Sequence, residues 1–295
     1  MFFRKKWALV LSGGGAKGLA HIGVLKFIDE IGVKPDMIAG TSVGAIIGGF
    51  YACGMTGREI EDFIVNDFEF KHFFDMKSLH LPDISISKAI VIGESLKNLF
   101  LKQGVDTGVK LHNIISKLTQ DKNFGEETIP FACNSVDLIN HCHVIHRKGK
   151  IADAIRASMS VPGFFTPFQM GEMLLVDGGV YNNLPVSIPR QLGIKNVIAI
   201  NLNQNIPENI EKFQTGMDVI IEALFINSRI TEKNPANIPD LEIFASDKRS
   251  NIDLSNPESA INHGYERAKE SEEDIMEVAV PAYKRFFNRK KWTFS

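Results

Sequence analysis

A serine enclosed by glycines is the first residue of the sequence with a clear capacity for chemistry. Ser42 stands at the centre of GTSVG (40–44), between a short apolar run and a stretch of small and apolar residues. A G-x-S-x-G turn between a strand and a helix is typical of a nucleophile elbow, where bulky neighbours would clash at the strained backbone of the serine. The N-terminus of the following helix also stabilises nearby negative charge. The motif predicts Ser42 as a nucleophile.

A second segment rich in glycine, GGGAKG at residues 13–18, lies between an apolar run and an amphipathic one. Its G-x-G-x-x-G spacing has three interpretations: a dinucleotide-binding loop, an oxyanion hole made of glycine N–H groups, and a plain strand–helix turn. A dinucleotide site needs an acidic residue after the second strand, but Asp36 precedes that strand. A P-loop is excluded because Leu19 occupies the position of its lysine. We therefore favour an oxyanion hole.

The third segment, DGG at residues 177–179, follows the apolar run MLLVD. We expect Asp177 at the carboxyl end of a parallel strand, which is where open α/β sheets place their sites. The alternative is a solvated turn, since Asp-Gly pairs are common in turns. Because GGGAKG and GTSVG occur in the same chain, we favour a functional role for Asp177.

These segments need a scaffold of strands and helices. The runs at 7–11 and 36–39 are short, apolar and bounded by turn residues, so both are predicted to be buried strands. Between them, apolar residues from Val24 to Ile31 recur at helical spacing, and Gly32 ends the helix. Further helices are predicted over 111–118, 151–160 and 185–193, and further strands over 130–138, 141–146, 173–177, 196–202 and 241–246.

This alternation of strands and helices indicates an α/β fold with a mostly parallel sheet covered on both faces. The sequence contains no internal repeat and no low-complexity linker, so we expect a single domain over residues 1–295. Residues 67–105 follow no single period and mix Phe and Leu with Pro, Asp and Ser. We interpret that segment as a lid or acyl-binding flap that covers the site.

Composition and charge exclude several classes of protein. The chain has 295 residues, is 44% hydrophobic and 23% charged, and carries a net charge of −2. This balance is typical of a packed globular protein and argues against a general nucleic-acid binder. Cys53, Cys133 and Cys142 form no CxxC pair, which favours free thiols in a reducing compartment. No apolar run reaches the roughly 18 residues of a membrane span, and we expect WALVL to be a strand rather than part of a signal peptide.

Histidines offer two rival sites. A Ser–Asp–His triad of the α/β-hydrolase type needs a histidine after Asp177, and only His263 follows, within a charged helical stretch. The cluster HCHVIH at 141–146 could ligate a metal, but in a strand Cys142 points away from its neighbouring histidines, and no second cluster lies at zinc spacing. We interpret His263 as a surface or interhelical residue and the cluster as ordinary strand side chains, and we expect no metal.

In their order along the chain, GGGAKG, GTSVG and DGG resemble the motifs of the patatin-like phospholipase family. The segment ADAIRASMSVPGFFTPF (152–168) is similar to the stretch that precedes DGG in that family. The resemblance covers residues 7–190, which would form the catalytic core, while 191–295 would supply the strands and helices that complete the fold. It implies a three-layer α/β/α sandwich with a mostly parallel central sheet.

The resemblance also implies roles for individual residues. It implies a Ser–Asp dyad, with Ser42 as the nucleophile and Asp177 as its base. The implied oxyanion hole consists of Gly13, Gly14 and Gly15, and the motif-supporting residues are Lys17, Gly18, Gly40, Gly44, Gly178 and Gly179. Members of the family act on acyl esters of lipids and need no metal for the chemistry. We therefore expect a phospholipase A or lysophospholipase with a lipid ester substrate, no cofactor and an acyl-enzyme intermediate on Ser42.

Such a dyad needs help from its surroundings. A carboxylic acid with an ordinary pKa of about 3.9 is a weak base for an alcohol. We expect burial near the apolar segments 46–50 and 164–168 to raise the pKa of Asp177.

The C-terminal segment 282–295 interleaves basic residues with Phe and Trp. This composition is typical both of an interfacial segment on anionic lipid and of a docked helix with a basic outer face. We expect a cytoplasmic protein with peripheral contact with the membrane. Two alternatives stay open: a catalytically silent lipid-binding protein of the same fold, and a nucleotide binder that uses GGGAKG.

Overall fold

The structure is a computed structural model, and it describes residues 6–67, 104–203, 216–247, 249 and 254–280. The predicted lid at 67–105 lies outside the described residues except at its two ends. The basic and aromatic segment 282–295 also lies outside them.

Ten strands and nine α-helices are found in the described part of the chain. The strands are β1 (Trp7–Leu11), β2 (Met37–Gly40), β3 (Gly104–Asp106), β4 (Phe131–Asp137), β5 (Cys142–His146), β6 (Gly163–Phe165), β7 (Phe168–Met170), β8 (Met173–Asp177), β9 (Asn196–Asn201) and β10 (Leu241–Phe244). The helices are α1 (Leu19–Glu30), α2 (Val43–Ala52), α3 (Gly57–Asp62), α4 (Val109–Leu118), α5 (Ile151–Ser158), α6 (Ser187–Gln191), α7 (Gly216–Glu232), α8 (Pro257–Glu270) and α9 (Glu272–Ala279).

Eight of the strands form one sheet in the order β10-β9-β1-β2-β4-β8-β7, with β5 also paired to β4. The five strands from β10 to β4 are mutually parallel, whereas β5, β8 and β7 join by antiparallel pairing. The short strands β3 and β6 form a separate parallel pair. The predicted mostly parallel sheet is confirmed, and its antiparallel part is confined to one side.

Both faces of the sheet are covered by apolar layers. Along β1, Trp7, Leu9 and Leu11 belong to a core shared with α1, α2, α5 and α8, whereas Ala8 and Val10 belong to a second core. Leu184 and residues up to Ile194, around α6, close the second face. Because successive side chains of a strand point to opposite faces, this division confirms the predicted three-layer α/β/α sandwich.

The direction of β8 differs from the prediction. We expected Asp177 to end a parallel strand, but β8 is antiparallel to β4. β8 enters the sheet from a hairpin and not from a helical crossover: two residues join it to β7, and one of them is Gly171 with φ of 61°. A crossover helix is the usual connection into a parallel strand, whereas a turn this short only reverses the chain relative to β7.

Candidate active site

The ends of β2 and β8 meet at one edge of β4, which brings the segments of Ser42 and Asp177 together. β2 pairs with the start of β4, where Gly40 lies opposite Cys133, and β8 pairs with its end, where Asp177 lies opposite Ser135. β5 pairs with β4 through both Cys133 and Ser135. Because a strand has only two edges, β2 and β8 must lie along the same one.

These two strands run in opposite directions along that edge. β2 is parallel to β4 and β8 is antiparallel to it, so their carboxyl ends point at each other, with Asn134 of β4 between them. Ser42 follows β2 by two residues, and Asp177 is the last residue of β8. The two predicted site residues thus approach each other from opposite directions, although 134 residues of chain separate them.

The backbone of Ser42 has the strained conformation expected of a nucleophile elbow. Its φ is 54° and its ψ −123°, a region that side-chain-bearing residues rarely adopt. The turn also needs its glycines: a Cβ on Gly40 would lie 2.4 Å from the carbonyl oxygen of Gly44, and a Cβ on Gly44 would lie 2.3 Å from that of Leu11. The N–H of Ser42 donates to Oγ of the buried Ser158 at 3.0 Å. α2 begins at the next residue, so its N-terminus lies directly at the serine.

Asp177 is a buried carboxyl group with one unused oxygen. Its side chain is 1% exposed, and Oδ1 accepts the N–H of Gly179 at 2.7 Å. Oδ2 is buried and, among the described residues, accepts no hydrogen bond of standard geometry. Burial raises the pKa of Asp177 to about 7, although the nearby Ser42 side chain and the Gly179 N–H act in the opposite direction. The free oxygen is therefore a stronger proton acceptor than an ordinary aspartate.

The glycine loop lies beside Ser42 and is held by an asparagine. A Cβ on Gly13 would lie 3.2 Å from Cβ of Ser42. Asn183 binds Gly13 twice: its carbonyl oxygen accepts the Gly13 N–H at 3.2 Å, and its Nδ2 donates to the Gly13 carbonyl oxygen at 3.2 Å. Nδ2 of Asn203 donates to the same carbonyl at 3.4 Å.

The two hydrogen bonds between Asn183 and Gly13 determine which N–H groups of the glycine loop remain available to a ligand. The N–H of Gly13 is committed to Asn183, whereas those of Gly14 and Gly15 donate to no other group within the described ranges. In a trans peptide the carbonyl and the following N–H point in opposite directions. The N–H of Gly14 therefore points away from Asn183. Gly14 is half-buried and Gly15 exposed, so neither residue is closed off from solvent.

The remaining motif residues lie around these groups. Lys17 is half-buried in a 3-10 turn (Gly15–Gly18), with its N–H donating to the Gly14 carbonyl oxygen. Gly18 lies against Val43, next to the elbow. Gly178 and Gly179 form the turn after Asp177, where Gly178 packs against Asn134 and Gly179 against Phe225.

Sequence reasoning missed the asparagines and the serine that support the site. Ser158 holds the N–H of Ser42, Asn183 holds Gly13, and Asn134 lies between the two strand ends. The sequence does contain a signal for Asn134, because its polar amide directly follows the apolar residues FAC at the start of β4. For Asn183 the signal was its position shortly after DGG, which carries no chemistry until the fold brings it to the glycine loop.

No histidine among the described residues is hydrogen-bonded to Ser42 or Asp177. His263 lies on α8, which packs closely on α1: a Cβ on Gly264 would lie 2.0 Å from the carbonyl oxygen of Ala20. His146 is hydrogen-bonded to Oγ of Ser135 at 2.7 Å. His141 lies in the turn before β5 with φ of 53°, so it is not a strand residue as we assumed.

Neither a metal-binding cluster nor a membrane-spanning helix is found among the described residues. They contain no group of three or more His, Cys, Asp or Glu side chains arranged to hold a metal ion. Within the same ranges, no helix combines the length and the apolar character that crossing a bilayer requires. All three cysteines are unpaired thiols, with Cys142 exposed and the other two buried.

Sequence comparison links most of this site to known proteins. Residues 9–190 match the family described as Patatin-like phospholipase. The chain is 32% identical over 197 residues to the human protein named Patatin-like phospholipase domain-containing protein 6, and the match covers 66% of this chain and 13% of that one. It is 33% identical over 196 residues to the protein named Lysophospholipase NTE1 of Mycosarcoma maydis, covering 66% and 9%. The chain thus spans only a small part of the length of these relatives.

Structure comparison gives the same fold. The structure of VipD from Legionella pneumophila superposes with a TM-score of 0.53 at 15% identity, covering 91% of this chain and 66% of that chain.

Proposed function

The chain belongs to the patatin-like phospholipase family, and from this premise we propose that it hydrolyses acyl esters of lipids with Ser42 as the nucleophile and Asp177 as the general base. The family and the names of the relatives support a lipid ester hydrolase. The assignment of the two residues is supported by one observation above all. A buried aspartate with an unused oxygen and a pKa raised to about 7 lies beside a serine in the elbow conformation.

The first half of the reaction transfers the acyl group to the enzyme. Oγ of Ser42 attacks the carbonyl carbon of the ester while its proton passes to Oδ2 of Asp177. The N–H groups of Gly14 and Gly15 stabilise the oxyanion, with the N-terminus of α2 adding to the positive potential. The bond between the carbonyl carbon and the leaving oxygen then breaks, and Asp177 gives its proton to that oxygen.

The second half restores the enzyme. Water attacks the acyl-enzyme at the same carbonyl carbon and gives a proton to Asp177. The bond to Ser42 breaks, Oγ takes the proton from Asp177, and the fatty acid leaves. No step needs a metal or another cofactor, because the base and the oxyanion donors all belong to the chain.

We propose a substrate of the phospholipid or lysophospholipid class, since one relative is named a lysophospholipase. Three further points stay predictions: contact with a membrane surface, a cytoplasmic location and a covering lid. The membrane contact rests on segment 282–295 and the lid on segment 67–105, and these segments lie outside the described residues except at the two ends of 67–105. The nucleotide alternative loses support from the clamp on Gly13, whose N–H and carbonyl are both bound to Asn183.

The test uses the full chain in buffer with EDTA. Hydrolysis of p-nitrophenyl butyrate and of lysophosphatidylcholine is measured for the wild type, Ser42→Ala, Asp177→Asn and the control His263→Ala. We expect the first two variants to lose turnover, the control to keep it, and a fluorophosphonate probe to label Ser42 of the wild type. Loss of activity in folded His263→Ala would contradict the dyad. Lipid binding without turnover would support the silent lipid-binding alternative.

A further inference from the structure

The strand ladders leave the orientation of the two site turns unspecified. β2 makes its last pair with β4 at Gly40, and β8 makes its last pair at Asp177. Thr41 and the turn after Asp177 lie beyond these pairs, and no strand pairing joins β2 to β8. Another contact must therefore fix how Ser42 and Asp177 face each other.

A contact that joins the two turns to each other is made by the side chain of Asn134, which is completely buried. Its Oδ1 accepts the hydroxyl proton of Thr41 at 2.7 Å, one residue before Ser42. Its Nδ2 donates to the carbonyl oxygen of Asn182 at 2.8 Å, in the chain that leaves the DGG turn. Thr41 Oγ1 also lies 3.2 Å from the Asn182 carbonyl oxygen, which closes a ring of three residues.

Asn134 also packs directly on the turn that carries Asp177. A Cβ on Gly178 would lie 2.5 Å from Cγ of Asn134 and 2.5 Å from its main-chain oxygen. A side chain at position 178 would therefore overlap Asn134, and only a glycine lets the turn pack directly on the amide. A shift of the Asn134 side chain would be passed to Gly178 and hence to the adjacent Asp177.

Only an amide satisfies all of these neighbours. Nδ2 has two hydrogens, of which one goes to the Asn182 carbonyl and the other to Nε2 of His143 at 3.1 Å. Burial lowers the pKa of His143, which favours the neutral ring, and Nε2 accepts in the tautomer that carries its hydrogen on Nδ1. An aspartate at 134 would place a carboxylate against a carbonyl oxygen, and a leucine would leave buried polar groups without partners.

We propose that Asn134 is a positioning residue that sets the distance and orientation between Ser42 and Asp177 by tying the turn after β2 to the turn after β8. The inference rests on the proposed function of those two residues. Because Asn134 is completely buried, we expect its effect to fall on the proton transfer and not on substrate binding.

The test compares Asn134→Leu with a matched control on the full chain. Asn237 is also a buried asparagine that joins two main-chain groups, the Ser187 N–H and the Thr231 carbonyl, but away from the Ser42–Asp177 junction. With p-nitrophenyl butyrate we expect Asn134→Leu to lower kcat by about 10²-fold, since a misplacement of about 1 Å costs this much, and to leave KM within about threefold. Asn237→Leu lowers the unfolding temperature comparably and leaves kcat unchanged.

A double-mutant cycle separates positioning from general damage. Once Asp177→Asn has removed the base, Asn134→Leu should reduce the residual rate by less than about threefold, because it acts through the same pair. A further loss of about 10²-fold in that background would overturn the proposal. Thr41→Val removes the hydroxyl that contacts both Asn134 Oδ1 and the Asn182 carbonyl oxygen, with little change of shape. It replaces Asn134→Leu in the test if that variant does not fold, and we expect it to lower kcat about tenfold.

The outcomes separate the two claims. A wild type without Ser42-dependent turnover overturns the proposed function. An active wild type with unchanged kcat in both folded Asn134→Leu and Thr41→Val overturns only the role of Asn134.

Discussion

The two halves of the candidate site are built from different chemical groups and are held in different ways. At the junction of β2 and β8, the proposed reacting groups are two side chains: that of Ser42, which is half-buried, and that of Asp177, which is buried beside β4. In the glycine loop, the available groups are main-chain N–H donors, and Asn183 holds the loop from outside. A side-chain substitution therefore removes a proposed proton-transfer group directly. The main-chain N–H donors have no side chain to replace, so they are perturbed through Asn183, which holds the loop.

The largest expected effect tests the side-chain half. Asp177→Asn keeps the shape of the side chain but removes the base, so we expect kcat/KM with p-nitrophenyl butyrate to fall by about 10³–10⁴-fold. Labelling by a fluorophosphonate should slow in parallel, because it also needs an activated serine. A loss of less than tenfold in the folded variant would show that proton transfer does not depend on this carboxyl group.

Asp177→Asn should lower activity and, at the same time, raise the free energy of unfolding relative to that of the wild type as pH rises. The pKa of Asp177 is raised to about 7 in the folded protein and is about 3.9 when unfolded, so the folded state binds more protons between these values. Wild-type stability is therefore lost as pH rises from about 4 to 7, and Asn at this position does not titrate. We expect the free energy of unfolding to shift in favour of Asp177→Asn by roughly 2–4 kcal/mol between pH 4 and pH 8. Urea denaturation at both pH values measures it, and a constant difference would contradict the raised pKa.

Asn183→Leu tests the main-chain half. Without the amide, the Gly13 carbonyl loses its 3.2 Å donor, and the peptide that carries the Gly14 N–H is held less firmly. Loss of one oxyanion donor costs about 10²–10³-fold in kcat, and we expect about 10²-fold here because the Asn203 contact remains. Asn237→Leu again serves as the control for lost stability. If kcat stays at the wild-type value, the loop is held by its backbone alone.

The smallest expected effect per step is the pH dependence of the rate. The proposed dyad reacts with Asp177 ionised, so kcat/KM should rise about tenfold per pH unit up to about pH 7 and then level off. The residual rate of Asp177→Asn should lack this dependence. A profile that is flat between pH 5 and 8 in the wild type would assign proton transfer to another group.

The sequence was sufficient for the parts of the fold and site that depend on local pattern. Short apolar runs predicted β1, β2 and β9, and the glycines of GTSVG predicted the elbow conformation that Ser42 adopts. The direction of β8 was not predictable in this way, because an apolar run of five residues has the same pattern in parallel and antiparallel pairing. Asn134 and Asn183 could not be assigned either, since their contacts lie 93 and 170 residues away along the chain.

The end-to-end meeting of β2 and β8 has a consequence for the order of events during synthesis. Ser42 emerges before its proposed base, which follows 135 residues later, and β9, the second neighbour of β1, is complete only at Asn201. Contacts so distant in sequence form late in folding, because the entropy of closing long loops must be overcome first. The nascent chain therefore carries a serine without its base. Esterase activity would begin only when the central sheet is complete, and its appearance would report on the folding of the whole sheet.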